Sequence, residues 1–103
     1  MSWLSGLFRR PEAQALPADL TGEQLLGLVR ALPVTSFREG YDQDEVDAFA
    51  ARVAAAFDGR GEPLAPADVL NQRFQATKFR QGYDQDAVDD LLDRVVVTLR
   101  ARG

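Results

Sequence analysis

An internal repeat is the feature of this sequence that most constrains its fold. The run TSFREGYDQDEVD at residues 35–47 recurs as TKFRQGYDQDAVD at residues 77–89, a shift of 42 residues. About half of the positions in residues 35–57 are identical in the second copy. A unit of about 40 residues without a metal or a disulfide buries too little apolar surface to be stable alone. We therefore predict that the two copies pack on each other or on a partner.

Each copy is predicted to form a short helix, a loop and a long helix. Asp42 and Asp84 are placed as N-caps, so the long helices should begin near residues 43 and 85, and Glu45 is placed to complete a capping box. Apolar residues then recur at helical spacing. They form the predicted helix interface: Val46, Phe49, Val53, Phe57, Val88, Leu91, Leu92, Val95 and Leu99. The predicted fold class is all-α, a small bundle of tandem helix-loop-helix units that forms within one chain or as a homodimer.

The chain divides into four segments. Residues 59–63, which contain Gly and Pro, form the predicted linker between a first unit, residues 17–58, and a second unit, residues 64–103. Residues 1–16 are predicted to form an amphipathic segment and a tether. Its apolar side chains fall on one side of a helix and two cations follow, so we predict that it lies at a membrane interface or, alternatively, docks on the domain or on a partner. The residues concerned are Trp3, Leu4, Leu7, Phe8, Arg9 and Arg10.

The segment before each long helix places an aromatic residue beside cations. Breaks in helical periodicity predict that Phe37-Arg38 and Lys78-Phe79-Arg80 lie in loops. Two alternatives follow for each Phe: insertion among acyl chains with the cation at the phosphates, or capping of the core between helices. The two motif glycines are predicted to adopt positive φ. The predicted structural turn comprises Gly40, Tyr41, Asp42, Gly82, Tyr83 and Asp84.

Composition excludes several classes of function. The chain has no Cys and no His, which removes thiolate nucleophiles, histidine bases and the usual zinc ligands. A net charge of −4 argues against binding to nucleic acid, which needs a concentrated basic surface. No apolar run reaches the length of about 20 residues that a spanning helix needs, and no signal peptide is recognised. We assign no catalytic residue, metal, cofactor or small-molecule substrate, and we expect a cytoplasmic protein, peripheral on the inner face of the membrane if it binds lipid.

Both copies resemble the N-terminal domain of the DivIVA proteins of Gram-positive bacteria. The shared signature is an aromatic residue and Arg, then Gly-Tyr-Asp-x-Asp-x-Val-Asp, and the two copies together span residues 20–100. The resemblance implies a crossed loop in which an exposed Phe inserts into the bilayer while a basic neighbour meets lipid headgroups. Phe37-Arg38 and Phe79-Arg80 match these positions. The chain departs from the family in having Glu39 or Gln81 between Arg and Gly, and its 103 residues contain no heptad array for the family's coiled coil.

The resemblance also implies a scaffold that recruits division or cell-wall proteins to poles and septa. We therefore predict a non-enzymatic adaptor or scaffold of the cell envelope and cell division. Its predicted partners are other proteins, further copies of itself, and an anionic membrane surface. The alternative is a soluble protein–protein interaction or regulatory module, in which the duplicated helices keep the fold without membrane attachment.

Overall fold

The computed structural model describes residues 20–102, and this part of the chain forms four helices and one four-stranded sheet. In chain order the elements are α1 (Gly22–Arg30), β1 (Val34–Thr35), β2 (Gly40–Tyr41), α2 (Gln43–Phe57), α3 (Pro66–Leu70), β3 (Ala76–Thr77), β4 (Gly82–Asp84) and α4 (Gln85–Arg102). Each copy is therefore a short helix, two short strands and a long helix. Among the described helices, none combines the length and apolar composition that crossing a bilayer requires.

The prediction of an all-α fold is wrong, because the segments before the long helices pair as strands. Each strand has only two or three residues, too few to show the alternation of apolar and polar side chains by which strands are recognised. The pairing also joins residues that are far apart in the chain, so no hairpin turn marks it. The fold is a mixed one in which a small antiparallel sheet lies at the start of two long helices.

The sheet joins the two copies of the repeat. Its strand order is β1-β4-β2-β3, and every strand pairs only with strands of the other copy. The pairs at the two edges of the sheet are equivalent. Val34 pairs with Tyr83 at one edge, and the residues at the corresponding positions of the other copy, Ala76 and Tyr41, pair at the other edge. Tyr41 and Tyr83 lie opposite each other in the central pair. A pseudo-twofold axis therefore passes between these two tyrosines.

The loops between the strands cross the sheet. Because β1 and β2 are both antiparallel to β4 and lie on either side of it, they run in the same direction. The first loop, residues 36–39, must therefore cross β4 to connect them. The second loop, residues 78–81, crosses β2 in the same way. Neither copy can form this arrangement without the other.

Gly40 and Gly82 allow this crossing because they have no side chain. The prediction that they adopt a positive φ is wrong. Gly40 and Gly82 lie within β2 and β4, and in the described residues a positive φ occurs only at Gly59 and Phe79. A Cβ on Gly40 would lie 2.8 Å from the carbonyl oxygen of Tyr83, and one on Gly82 would lie 2.9 Å from that of Tyr41. The glycines are needed for the close approach of the central strands.

The predicted structural turn is consequently a set of strand residues with two helix caps. Gly40–Tyr41 and Gly82–Asp84 are strands, and Asp42 follows β2 directly. The Asp42 carboxylate accepts the backbone N–H of Glu45 at 3.0 Å, and that of Asp84 accepts the N–H of Ala87 at 3.0 Å. The long helices accordingly begin at Gln43 and Gln85, as the caps predict.

Glu45 does not complete the predicted capping box. Its carboxylate instead accepts the backbone N–H of Gln75 at 2.6 Å, while the N–H of Asp42 donates to the carbonyl of Gln75 at 2.9 Å. Gln75 belongs to the second copy. The Glu45 side chain therefore stabilises the edge of the sheet. This contact is made to the other copy, so the local sequence spacing does not predict it.

One hydrophobic core contains the apolar stripes of both long helices. Every residue of the predicted helix interface is buried or half-buried in it. At the far end of the helices, the Arg102 guanidinium donates to the carbonyls of Phe57 at 2.9 Å and Leu20 at 3.0 Å, and lies 4.6 Å from the centre of the Phe57 ring. Since α2 and α4 also begin at the shared sheet, they run side by side in the same direction.

Candidate functional site: the two crossed loops

The tips of the crossed loops carry the most exposed apolar side chains of the described residues. Phe37 is 90% exposed and Phe79 is 82% exposed. Because the two exposed rings occupy equivalent positions in the two copies, the loop tips are the candidate binding surface. The alternative that these rings cap the core between helices is excluded by this exposure.

Each loop is tied to the other copy by an ion pair with a helix cap. The guanidinium of Arg38 donates to the carboxylate of Asp84 at 2.7 Å, and that of Arg80 lies 3.4 Å from the carboxylate of Asp42. The same two carboxylates cap the long helices. Both arginines are more than half exposed, so each pair contributes little to stability. Their main effect is to orient the loops, because the crossing brings each Arg to the opposite copy.

Both loops lie at the same end of the molecule. Each immediately precedes a strand that leads into a long helix, and each Arg reaches the N-cap of the other long helix. The two helices run side by side away from this end toward Phe57 and Arg102. The two loops, and with them Phe37 and Phe79, therefore lie at one end of the molecule.

Beneath the loops, two tyrosine hydrogen bonds join the two copies near the pseudo-twofold axis. The Tyr41 hydroxyl donates to the Asp89 carboxylate at 3.0 Å, and the Tyr83 hydroxyl donates to the Asp47 carboxylate at 2.6 Å. Burial, and then the hydrogen bond to Asp47, raise the pKa of Tyr83 to about 12. Burial and the bond to Asp89 raise the pKa of Tyr41 as well. Both tyrosines therefore stay protonated and keep donating at neutral pH.

The two loops differ in backbone conformation. In the first loop the backbone N–H of Arg38 donates to the Thr35 hydroxyl at 3.3 Å. In the second loop Phe79 has a φ of 64°, and the hydroxyl of Thr77 is buried without a hydrogen-bond partner among the described residues. A bulky residue in the left-handed region costs free energy, as does an unpaired buried hydroxyl. The second loop is thus the more strained of the two.

The loops also differ in charge. The first loop contains Ser36, Phe37, Arg38 and Glu39, whereas the second contains Lys78, Phe79, Arg80 and Gln81. The Lys78 ammonium lies 5.6 Å from the centre of the Phe79 ring, within the range of a cation–π contact. The second loop therefore carries two cations and no acid, and one of the cations lies close to the aromatic ring.

A groove in the second copy is a further exposed feature, and sequence patterns did not indicate it. It has a volume of about 450 Å³ and lies between α3 and α4. Its apolar lining comes from Val69, Leu70, Phe74, Leu92 and Val96. Leu70 is 53% exposed. In the first copy Ala50 and Ala54 occupy the positions of Leu92 and Val96. The repeated sequence therefore does not predict this groove.

The N-terminal anchor residues lie outside the described residues, so the structure gives no position for them. These are Trp3, Leu4, Leu7, Phe8, Arg9 and Arg10. Comparison of the chain with known protein families, with curated proteins and with solved structures finds no match.

Proposed function

We propose that this protein is a non-enzymatic adaptor of the bacterial cell envelope that binds the inner membrane surface through its two crossed loops. The main support for this proposal is the pair of exposed rings, Phe37 and Phe79, which lie at one end of the molecule beside cations. In this orientation both rings enter the acyl region while Lys78 and Arg80 meet the phosphates. The opposite end of the helices then faces away from the membrane, where protein partners can bind.

The energetics favour two loops acting together. Burying one Phe side chain stabilises a complex by roughly 1.5–3 kcal/mol, which alone is too little for stable attachment. A cation near an anionic surface adds about 1 kcal/mol. Two rings and two cations, Lys78 and Arg80, supply roughly 5–8 kcal/mol before the loss of motional freedom on binding. Because the sheet fixes both loops in one body, insertion of the first ring makes insertion of the second intramolecular.

The resemblance to the DivIVA family supports the same proposal. The signature residues of both copies lie in or beside the crossed loops and the central strands. Two copies of the motif in one chain also account for the intertwined sheet, since each supplies the strands that the other lacks. In this proposal the adaptor recruits division or cell-wall proteins, as the family does.

Co-sedimentation with vesicles containing phosphatidylserine tests membrane attachment. We expect Phe37→Ala/Phe79→Ala to lose most of the bound fraction, and each single variant to retain part of it. Val97→Ala is the matched control, because Val97 is an exposed apolar residue on α4 away from the loops. A double variant that binds as well as the unaltered chain contradicts loop insertion. Loss of binding only on deletion of residues 1–10 assigns attachment to that segment instead.

A protein-interaction module without membrane attachment is the second candidate, and the groove between α3 and α4 supports it. Exposed Leu70 and the apolar lining are suited to an apolar side chain of a partner, while Arg73, Asp89 and Asp93 at the rim can pair with its charges. Cross-linking in cells, compared between the unaltered chain and Leu70→Glu, tests this candidate. Partners lost in Leu70→Glu but kept in Phe37→Ala/Phe79→Ala support it.

A further inference from the structure

The two loops occupy equivalent positions in the two copies. Three of these positions hold a charged residue in at least one loop, and the loops differ at two of the three. In the first loop, Arg38 is balanced by Glu39 and the position before Phe37 holds Ser36, so the loop is neutral. In the second, Lys78 and Arg80 flank the ring and Gln81 replaces the acid. The Gly-Tyr-Asp residues that follow each loop are identical in the two copies, so between Thr35 and Asp42 and between Thr77 and Asp84 the charge difference lies in the loops.

The ion pairs increase this difference. Arg38 contacts Asp84 at 2.7 Å, whereas the contact of Arg80 with Asp42 is longer, at 3.4 Å. Within residues 20–102, Lys78 makes no ion pair. Its ammonium lies 5.6 Å from the Phe79 ring centre, which places this cation beside the ring that is proposed to insert.

We propose that the second loop selects anionic phospholipids, whereas the first loop inserts without regard to headgroup charge. This inference rests on the proposed membrane attachment. Lys78 and Arg80 bind the phosphate and acidic groups of headgroups around the inserted Phe79. Phe37 supplies apolar insertion only, since Arg38 remains paired with Asp84. The chain thus divides affinity and lipid selectivity between two otherwise equivalent loops.

Exchange of charges between the loops tests the division, because the repeat supplies matched substitutions. Lys78→Ser/Gln81→Glu gives the second loop the charges of the first, and Ser36→Lys/Glu39→Gln does the reverse. Each cation at an anionic surface corresponds to about a fivefold change in affinity. We expect the first variant to lose about 30-fold in binding to phosphatidylserine-containing vesicles, with binding to phosphatidylcholine vesicles unchanged. The second variant should gain anionic preference.

Arg100→Glu controls for total charge. It changes the net charge of the chain by the same amount, but near the far end of α4. A similar loss of anionic preference in Arg100→Glu would overturn the proposal, because overall charge would then decide. An unchanged preference in Lys78→Ser/Gln81→Glu would also overturn it, while Phe-dependent binding would still support membrane attachment. Absence of any Phe-dependent binding overturns both.

Inorganic phosphate distinguishes a lipid headgroup from a free anion. Because ring and cation act together, phosphate without acyl chains should bind too weakly to compete. We expect vesicle binding to be unchanged by added phosphate at constant ionic strength. Complete competition by phosphate would mean that Lys78 and Arg80 form a free-anion site, and would overturn the proposal.

Discussion

Phe79 carries the clearest backbone strain among the described residues. Its φ of 64° places a large side chain in the left-handed region, which costs L-residues roughly 1–2 kcal/mol. Phe37, its equivalent in the first copy, does not have a positive φ. Because Phe79 is 82% exposed, packing of its ring does not offset this cost. A strained exposed residue is typical of a site shaped for binding.

Replacing each Phe with Gly tests the strain, because Gly adopts positive φ without cost. We expect Phe79→Gly to raise the free energy of unfolding by about 0.5–1 kcal/mol. Phe37→Gly should lower it by up to about 1 kcal/mol, since Gly adds only chain entropy there. Urea unfolding of both variants measures the difference. Equal destabilisation by the two substitutions would show that Phe79 is not strained.

The tyrosines at the pseudo-twofold axis predict a loss of stability in alkali. The pKa of Tyr83 is about 12 in the fold and about 10 in an unfolded chain, so the folded state holds its proton more tightly. Its contribution is complete below pH 10 and is lost as pH rises from about 10 to 12, by up to about 1.4 kcal/mol per pH unit. Urea unfolding across this range should show a shallower decline for Tyr83→Phe. An identical decline in Tyr83→Phe and the unaltered chain would exclude this coupling.

At the scale of elements, the helices could be predicted from sequence and the strands could not. Asp42 and Asp84 mark the starts of α2 and α4 because an N-cap acts within four residues of chain. Val34 and Ala76 carry no such signal, since their strand partners are Tyr83 and Tyr41 in the other copy. The loops could be located from their sequence, but the exposure of their rings depends on the crossing. The groove at Leu70 depends on tertiary packing alone.

The glycines of the crossing strands should tolerate no side chain. We expect Gly82→Ala to destabilise the fold by roughly 1–3 kcal/mol, because its Cβ would contact the Tyr41 carbonyl and the Thr77 hydroxyl. Gly27→Ala is the matched control: in α1 the nearest atom to its Cβ is the Arg30 guanidinium at 4.0 Å. That substitution should stabilise the chain by about 0.5–1 kcal/mol. Thermal unfolding distinguishes the two, and a stabilising Gly82→Ala would contradict the close approach.

At the scale of the molecule, the two copies complete one another. Each provides two strands of the sheet, one carboxylate for the other's Arg, and one for the other's Tyr. The second copy alone contains all of these groups: Arg80, Tyr83, Asp84 and Asp89. Two identical second copies could therefore make every one of these contacts with each other.

A fragment of residues 59–103 should accordingly form a homodimer. Its long helix and strands cannot bury their apolar surface alone, but a second fragment supplies the missing half of the sheet. Size-exclusion chromatography with light scattering measures the mass, and circular dichroism the helix content. Gly82→Val in the same fragment should prevent assembly. A folded monomer would contradict the requirement for both copies.

Under the proposed membrane attachment, the covalent linkage of the two copies makes the presentation of both rings insensitive to dilution. A homodimer of single-copy chains separates when its concentration falls below its dissociation constant, and it then presents only one ring to a bilayer. Here the linker joins both halves covalently, so a cell that synthesises few molecules still has every pair of loops assembled. Membrane occupancy should therefore rise in simple proportion to expression, without the threshold that a dimerising protein shows.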